Sequence, residues 1–80
     1  MEEIDEIVDI ISELENDATV PRNVKEKFSK IIGILKSNEE LSIKVNKALN
    51  EMDDISDDTN IQPYTRTQLW NIVSTLEKYA

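Results

Sequence analysis

Apolar residues recur along the chain every three or four positions, and the four stretches where they do so predict four amphipathic helices. In the first, Ile4, Ile7, Val8, Ile11 and Leu14 share one arc of a helix over about residues 3–16. Val24, Phe28, Ile31, Ile32 and Leu35 repeat the pattern over 21–36, with Pro21 as a first helical residue and Thr19 before it as a capping side chain. The third stretch, 39–56, carries Leu41, Val45, Ala48, Leu49, Met52 and Ile55, and Ser37 followed three residues later by Glu40 reads as a capping box. The fourth, 63–79, starts at Pro63 and is lined by Leu69, Ile72, Val73, Leu76 and Ala80. Asp57, Asp58 and Thr59 stand just before it, where acidic and hydroxyl side chains cap a helix and oppose its positive end.

Short connections make sequence neighbours antiparallel, so the expected fold class is all-α, a four-helix up-and-down bundle forming a single domain over residues 1–80. The bundle is expected to consist of two similar helical hairpins, because the halves match at an offset of 41 residues: Ile4 with Val45, Ile11 with Met52, Leu14 with Ile55, Asp17 with Asp58, Val20 with Ile61, Phe28 with Leu69 and Leu35 with Leu76. Any two amphipathic hairpins of equal length would also align in this way, and the sequence leaves that alternative open. Ile10 and Ile34 fall at stripe edges, where they either widen the core or meet a second chain, and Ile43 falls on the far side of its helix. Gly33 lies opposite the second stripe, as a tolerated helical glycine or a point of close approach for another backbone.

Composition narrows the chemistry. The chain has no Cys and no His, so it lacks disulfides, thiolate nucleophiles and the commonest acid–base and transition-metal side chain. No apolar run approaches the roughly 20 residues that span a bilayer, and the start Met1-Glu2-Glu3 is the reverse of a basic signal-peptide start, so a cytoplasmic location is expected. No membrane association, cofactor or metal is expected. The segment from Asp53 to Asn60 is acid-rich, yet it has neither the Gly nor the closing Glu of a calcium loop. No nucleophile and base share a face at a diagnostic spacing, so the chain is not expected to be an enzyme.

The net charge of −8 is unevenly spread: residues 1–17 hold eight acids and no base, 18–36 five bases and one acid, and 37–60 seven acids and two bases. Alternating acidic and basic helices favour antiparallel neighbours, though each exposed pair contributes only about 0–1 kcal/mol. Glu2, Asp5, Glu6, Asp9 and Glu13 lie opposite the first apolar stripe; they read first as a solvated face and second as a surface for a basic partner. The bases Arg22, Lys25, Lys27, Lys30 and Lys36 divide between the two flanks of the second helix, so no basic stripe forms and nucleic acid is a disfavoured partner for so acidic a chain.

The residues singled out for binding are Arg22, Asn23, Arg66, Trp70 and Asn71. The loops before the second and fourth helices fall at the same end of an up-and-down bundle, where these residues can share a face with Asp17 and Asp58. Arg66 and Trp70 are four apart, a spacing that lets a guanidinium approach an indole, and Trp and Arg concentrate binding energy at interfaces. The position of Trp70, about 100° from the centre of its stripe, favours a lid over the core edge above a free contact residue.

The strings Val20-Pro21-Arg22-Asn23 and Arg66-Thr67-Gln68-Leu69-Trp70-Asn71-Ile72-Val73-Ser74, followed by Leu76-Glu77, resemble the archaeal uncharacterised protein family 0147, over nearly the whole chain. The resemblance implies a four-helix bundle in an archaeal cytoplasm and assigns no activity, cofactor or partner. In that family a proline usually stands at the position of Gln62 and a histidine at that of Tyr64; here the proline comes one position later. The expected function is a small non-catalytic interaction module that binds an unidentified protein or a second copy of itself. The alternative is an RNA- or ribosome-associated accessory protein that uses the basic second helix.

Overall fold

The computed structural model describes residues 2–80, which form four helices in chain order: α1 (Glu2–Glu15), α2 (Arg22–Leu35), α3 (Leu41–Ser56) and α4 (Pro63–Glu77). No strand occurs among the described residues. Consecutive helices pack against each other and α4 returns to α1, which makes an all-α up-and-down bundle measuring 32 × 18 × 18 Å. The apolar stripes meet along its axis: Ile4, Ile7, Val8, Ile11 and Leu14 of α1 close on Val24, Phe28, Ile31 and Leu35 of α2, Val45, Ala48, Met52 and Ile55 of α3, and Leu69, Ile72 and Leu76 of α4. Ile32, Leu41, Leu49 and Val73 are half-buried rather than central, and Ile10 and Ile34 widen the core at its margin. Ala80 lies past the end of α4 and is exposed, so it does not line that helix as expected.

The two hairpins repeat in their packing as well as in their residues. Buried positions in the first half have buried or half-buried counterparts 41 residues on, including Val24 against Thr65, a buried threonine that the apolar pattern hides. The turns repeat too. Asp17 Oδ1 accepts the Thr19 N–H at 2.8 Å, Asp58 Oδ1 accepts the Asn60 N–H at 2.8 Å, and Val20 and Ile61 then dip into the core.

The pairing between hairpins follows the same two-fold relation. Lys44 Nζ of α3 donates to the Ser37 carbonyl at 3.4 Å, and at the equivalent place Lys78 Nζ lies 3.9 Å from Glu3 of α1. The middles of the two seams differ. In the α2–α3 seam Lys30 Nζ meets Glu51 at 2.9 Å, and Lys27 Nζ lies 3.5 Å from Glu51 and 3.4 Å from Asp54. The α4–α1 seam places Asn71, Gln68, Ile10 and Glu13 at those positions, forms no ion pair there and is the most thinly packed of the four. The Tyr79 hydroxyl donates to Glu3 and clasps its far end.

Helix ends depart from the sequence-based expectations. Pro21 is the residue preceding α2, not its first residue, and Thr19 turns back to Asp17 instead of capping. The capping box does not form: Ser37 Oγ donates to the Ile34 carbonyl at 2.7 Å and so closes α2, and α3 begins at Leu41 with Glu40 ahead of it making no side-chain cap. Asp57, Asp58 and Thr59 do not cap α4, whose preceding residue is Gln62. Pro63 does open α4, where its missing N–H leaves nothing unpaired. Ion pairs also fall elsewhere than expected: none joins α1 to α2 among the described residues, where Ser29 Oγ instead donates to Glu15.

Candidate functional site

The end of the bundle that carries the α1–α2 and α3–α4 turns is organised around Asp58. Its carboxylate accepts the Asn60 N–H and, at 3.1 Å, the Asn23 side-chain amide from the start of α2. Its carbonyl accepts Arg66 Nη2 at 2.6 Å, while Arg66 Nη1 donates to the Ser56 carbonyl at 3.2 Å. The Ser56 carbonyl is one that α3 leaves unpaired at its C-terminal end, where the helix dipole is negative, and the Asp58 carbonyl lies two residues beyond in the turn, so one guanidinium closes the helix and ties the turn to it. The Asn60 N–H, the Asn23 amide and the nearby Arg66 charge hold the Asp58 carboxyl below its usual range. Asp17 is held low likewise by the Thr19 hydroxyl and N–H, with Lys25 adding to it.

Of the five residues singled out from sequence, Asn23 and Arg66 are therefore brought together through Asp58. Arg22 is exposed and its side chain has no hydrogen bond or ion pair to any described residue. Asn71 is exposed on the opposite flank of α4, away from this end. Trp70 is not a lid: it is 78% exposed, the most open large apolar side chain among the described residues.

Arg66 and Trp70 line one depression of about 290 Å³ between the end of α3 and the first turns of α4, together with Ser56, Pro63, Thr67 and Leu69. Most of its wall is apolar. Pro63, Arg66, Thr67 and Trp70 follow one another at helical i, i+3, i+4 and i+7 steps, a signal present in the sequence and hidden there by its mixed polarity. The counterpart positions in the first hairpin are occupied differently. Ser56 and Trp70 correspond to Glu15 and Ser29, which hydrogen-bond to each other across α1 and α2.

Elsewhere the surface offers less. Lys27 and Lys30, the middle bases of α2, are held against Glu51 and Asp54, and Lys30 with Lys27 draws the Glu51 carboxyl below its usual range. No three His, Cys, Asp or Glu side chains among the described residues converge as metal ligands. No described helix is long and apolar enough to cross a membrane. A second depression, lined by Asp5, Lys36 and Lys44 over Ile4, Val8, Leu35 and Leu41, lies at the other end of the bundle.

These features define a small four-helix bundle made of two like hairpins, one of which carries an open, tryptophan-edged groove. The chain belongs to the uncharacterised protein family UPF0147, whose sequence profile matches residues 1–79. It is 35% identical over 75 residues to a UPF0147 protein of Archaeoglobus fulgidus, covering 94% of this chain and 86% of that one. A UPF0147 protein of Methanocaldococcus jannaschii is 41% identical over 70 residues, which cover 86% and 75% of the two chains. A crystal structure of the protein MMP1188, described as of unknown function, superposes with a TM-score of 0.90 at 36% identity, covering 96% of this chain and 89% of that chain.

Proposed function

We propose that this protein is a small, non-catalytic, cytoplasmic protein-interaction module whose docking site is the groove between α3 and α4. The observation that carries this reading is Trp70, exposed to 78% on a helix whose Leu69, Ile72 and Leu76 face the core. An indole left in water forgoes the burial that would stabilise the fold by about 1.5–3 kcal/mol for a large side chain, and a partner surface recovers it. Arg66, fixed to two carbonyls of the α3 terminus, keeps the groove wall in place before any partner arrives, so little ordering cost falls on binding. The RNA-associated alternative has less support, since Lys27 and Lys30 already face Glu51 and Asp54.

The test is quantitative affinity capture from a native archaeal extract with the wild-type chain and with Trp70→Ala, a change at an exposed position that leaves the fold intact. Partner occupancy falls at least tenfold in the variant if the groove is the docking site. The same partners at the same occupancy would place the site elsewhere.

A further inference from the structure

We propose that the groove accepts a basic protein segment, one whose arginine or lysine lies on the face of Trp70 beside Asp53 while an adjoining apolar side chain enters between Pro63 and Leu69. This rests on reading the groove as the docking site and adds the chemistry of what docks.

Size comes first. At about 290 Å³ and open to solvent, the groove falls at the lower edge of the roughly 300–1,000 Å³ typical of small-molecule pockets, and suits one or two side chains of a passing chain. Charge comes second. The contacts of Arg66 with Ser56 and Asp58 set the antiparallel register of α3 and α4. One turn back along α3 from that point is Asp53 and one turn forward along α4 is Trp70, so the two stand level on the outer flanks of the groove. Asp53, Asp57 beyond it and Glu77 two turns along the Trp70 flank are all exposed, and none is in an ion pair with a described residue. Arg66 is the one charged side chain in the groove wall itself and is bonded to the Ser56 and Asp58 carbonyls, while the carboxylates of Asp53, Asp57 and Glu77 on the flanks outnumber it three to one, so the net charge around an occupant is negative. Third, an exposed indole face attracts cations, arginine above all, through its quadrupole.

A second copy of this chain fits poorly. Each copy carries −8, and two of its own bases that could serve, Lys27 and Lys30, are already held by Glu51 and Asp54. An acidic partner meets the same repulsion.

The experiment is selection of a displayed random-peptide library on the intact protein, with Trp70→Ala as the counter-selection target, followed by binding of individual labelled peptides. Enriched peptides are expected to pair Arg or Lys with a neighbouring Leu, Ile or aromatic residue and to shift the fluorescence of Trp70, the single tryptophan, to shorter wavelength. Their dissociation constants are expected to rise at least fivefold with Asp53→Asn, with citrulline in place of arginine, or between 50 and 300 mM salt, and to stay unchanged with Glu6→Gln on α1. Trp70→Leu, which keeps apolar bulk without the π face, removes the preference for basic over neutral peptides. Enrichment of neutral or acidic peptides that still shift Trp70 would overturn the basic partner and leave the docking site standing. Peptides indifferent to Trp70→Ala, or no enrichment over that variant, would overturn both.

Discussion

Gly33 is a sensitive probe of whether the exposed side of α2 is free in the folded protein. It sits inside the helix, two residues from its end, with ordinary negative φ, and a Cβ built on it meets nothing within 4 Å. Replacing it by Ala therefore adds no clash and removes backbone freedom from the unfolded chain, an effect of about 0.5–1 kcal/mol in a helix interior. A domain of this size shifts its melting temperature by about 4–8 °C per kcal/mol, so Gly33→Ala is expected to melt roughly 2–8 °C higher. Thermal and urea unfolding followed by circular dichroism at 222 nm would measure it, with Gly33→Val alongside. Helix propensity alone orders the three Ala above Val above Gly. A melting temperature that falls for Ala, or a Val variant below the parent, would refute the reasoning and mean that something packs over α2 at this point.

Four further outcomes follow from the same geometry. Gln62 has φ −64° and ψ 150° and its N–H is bonded to no described acceptor, so Gln62→Pro is expected to stabilise the protein by about 0.4–1 kcal/mol in urea unfolding. Phe28, fully buried, is expected to cost about 3–5 kcal/mol as Phe28→Ala, against a total of roughly 4–12 kcal/mol for 80 residues, and a melting temperature lowered by less than 5 °C would contradict the packing described. The Asp58 carboxyl is depressed in the folded state, so its charge contributes stability above the unfolded aspartate range and loses it as pH falls through the folded value; the gap in urea midpoint between the parent and Asp58→Asn should be open at pH 7 and closed near pH 2–3. Gln68→Lys places a base opposite Glu13 where Lys27 faces Asp54 in the sister seam, and is expected to gain about 0–1 kcal/mol at low salt and nothing at 1 M salt.

Helix positions were legible because each rests on several residues repeating at one period, and an error in one leaves the stripe intact. The caps were not, because each turns on a single side chain with two possible partners. Ser37 illustrates this: its hydroxyl lies within reach of the helix behind it as well as the one ahead, and the Ile34 carbonyl, which also accepts the Ser37 N–H at 3.1 Å, wins it. Asp58 was read as a cap for α4 and instead closes the turn and receives Asn23, because four residues, Thr59 to Gln62 with the buried Ile61 among them, separate it from the start of α4 at Pro63. Trp70 failed for a related reason. A lid needs a neighbour to lean on, and the level position on α3 is the short, charged Asp53, while Arg66, the natural stacking partner four residues earlier, is drawn to the Ser56 and Asp58 carbonyls.

The repeat gives the groove its meaning. Two hairpins built on one plan should present the same shallow furrow between their helices, and at the furrow of the first hairpin Glu15 and Ser29 bond across it and leave a polar surface content in water. The second hairpin has lost that bridge: Ser56 is too short to span, its carbonyl is taken by Arg66, and Trp70 stands where Ser29 stood. Nothing in the stability of α3 and α4 calls for an indole there, since the core beneath is already filled by Leu69, Ile72 and Leu76 and the ring stays 78% exposed. A large apolar side chain kept in solvent, at the one furrow whose closing bond is absent and whose flanks carry unpaired carboxylates, is a feature that folding does not explain and binding does.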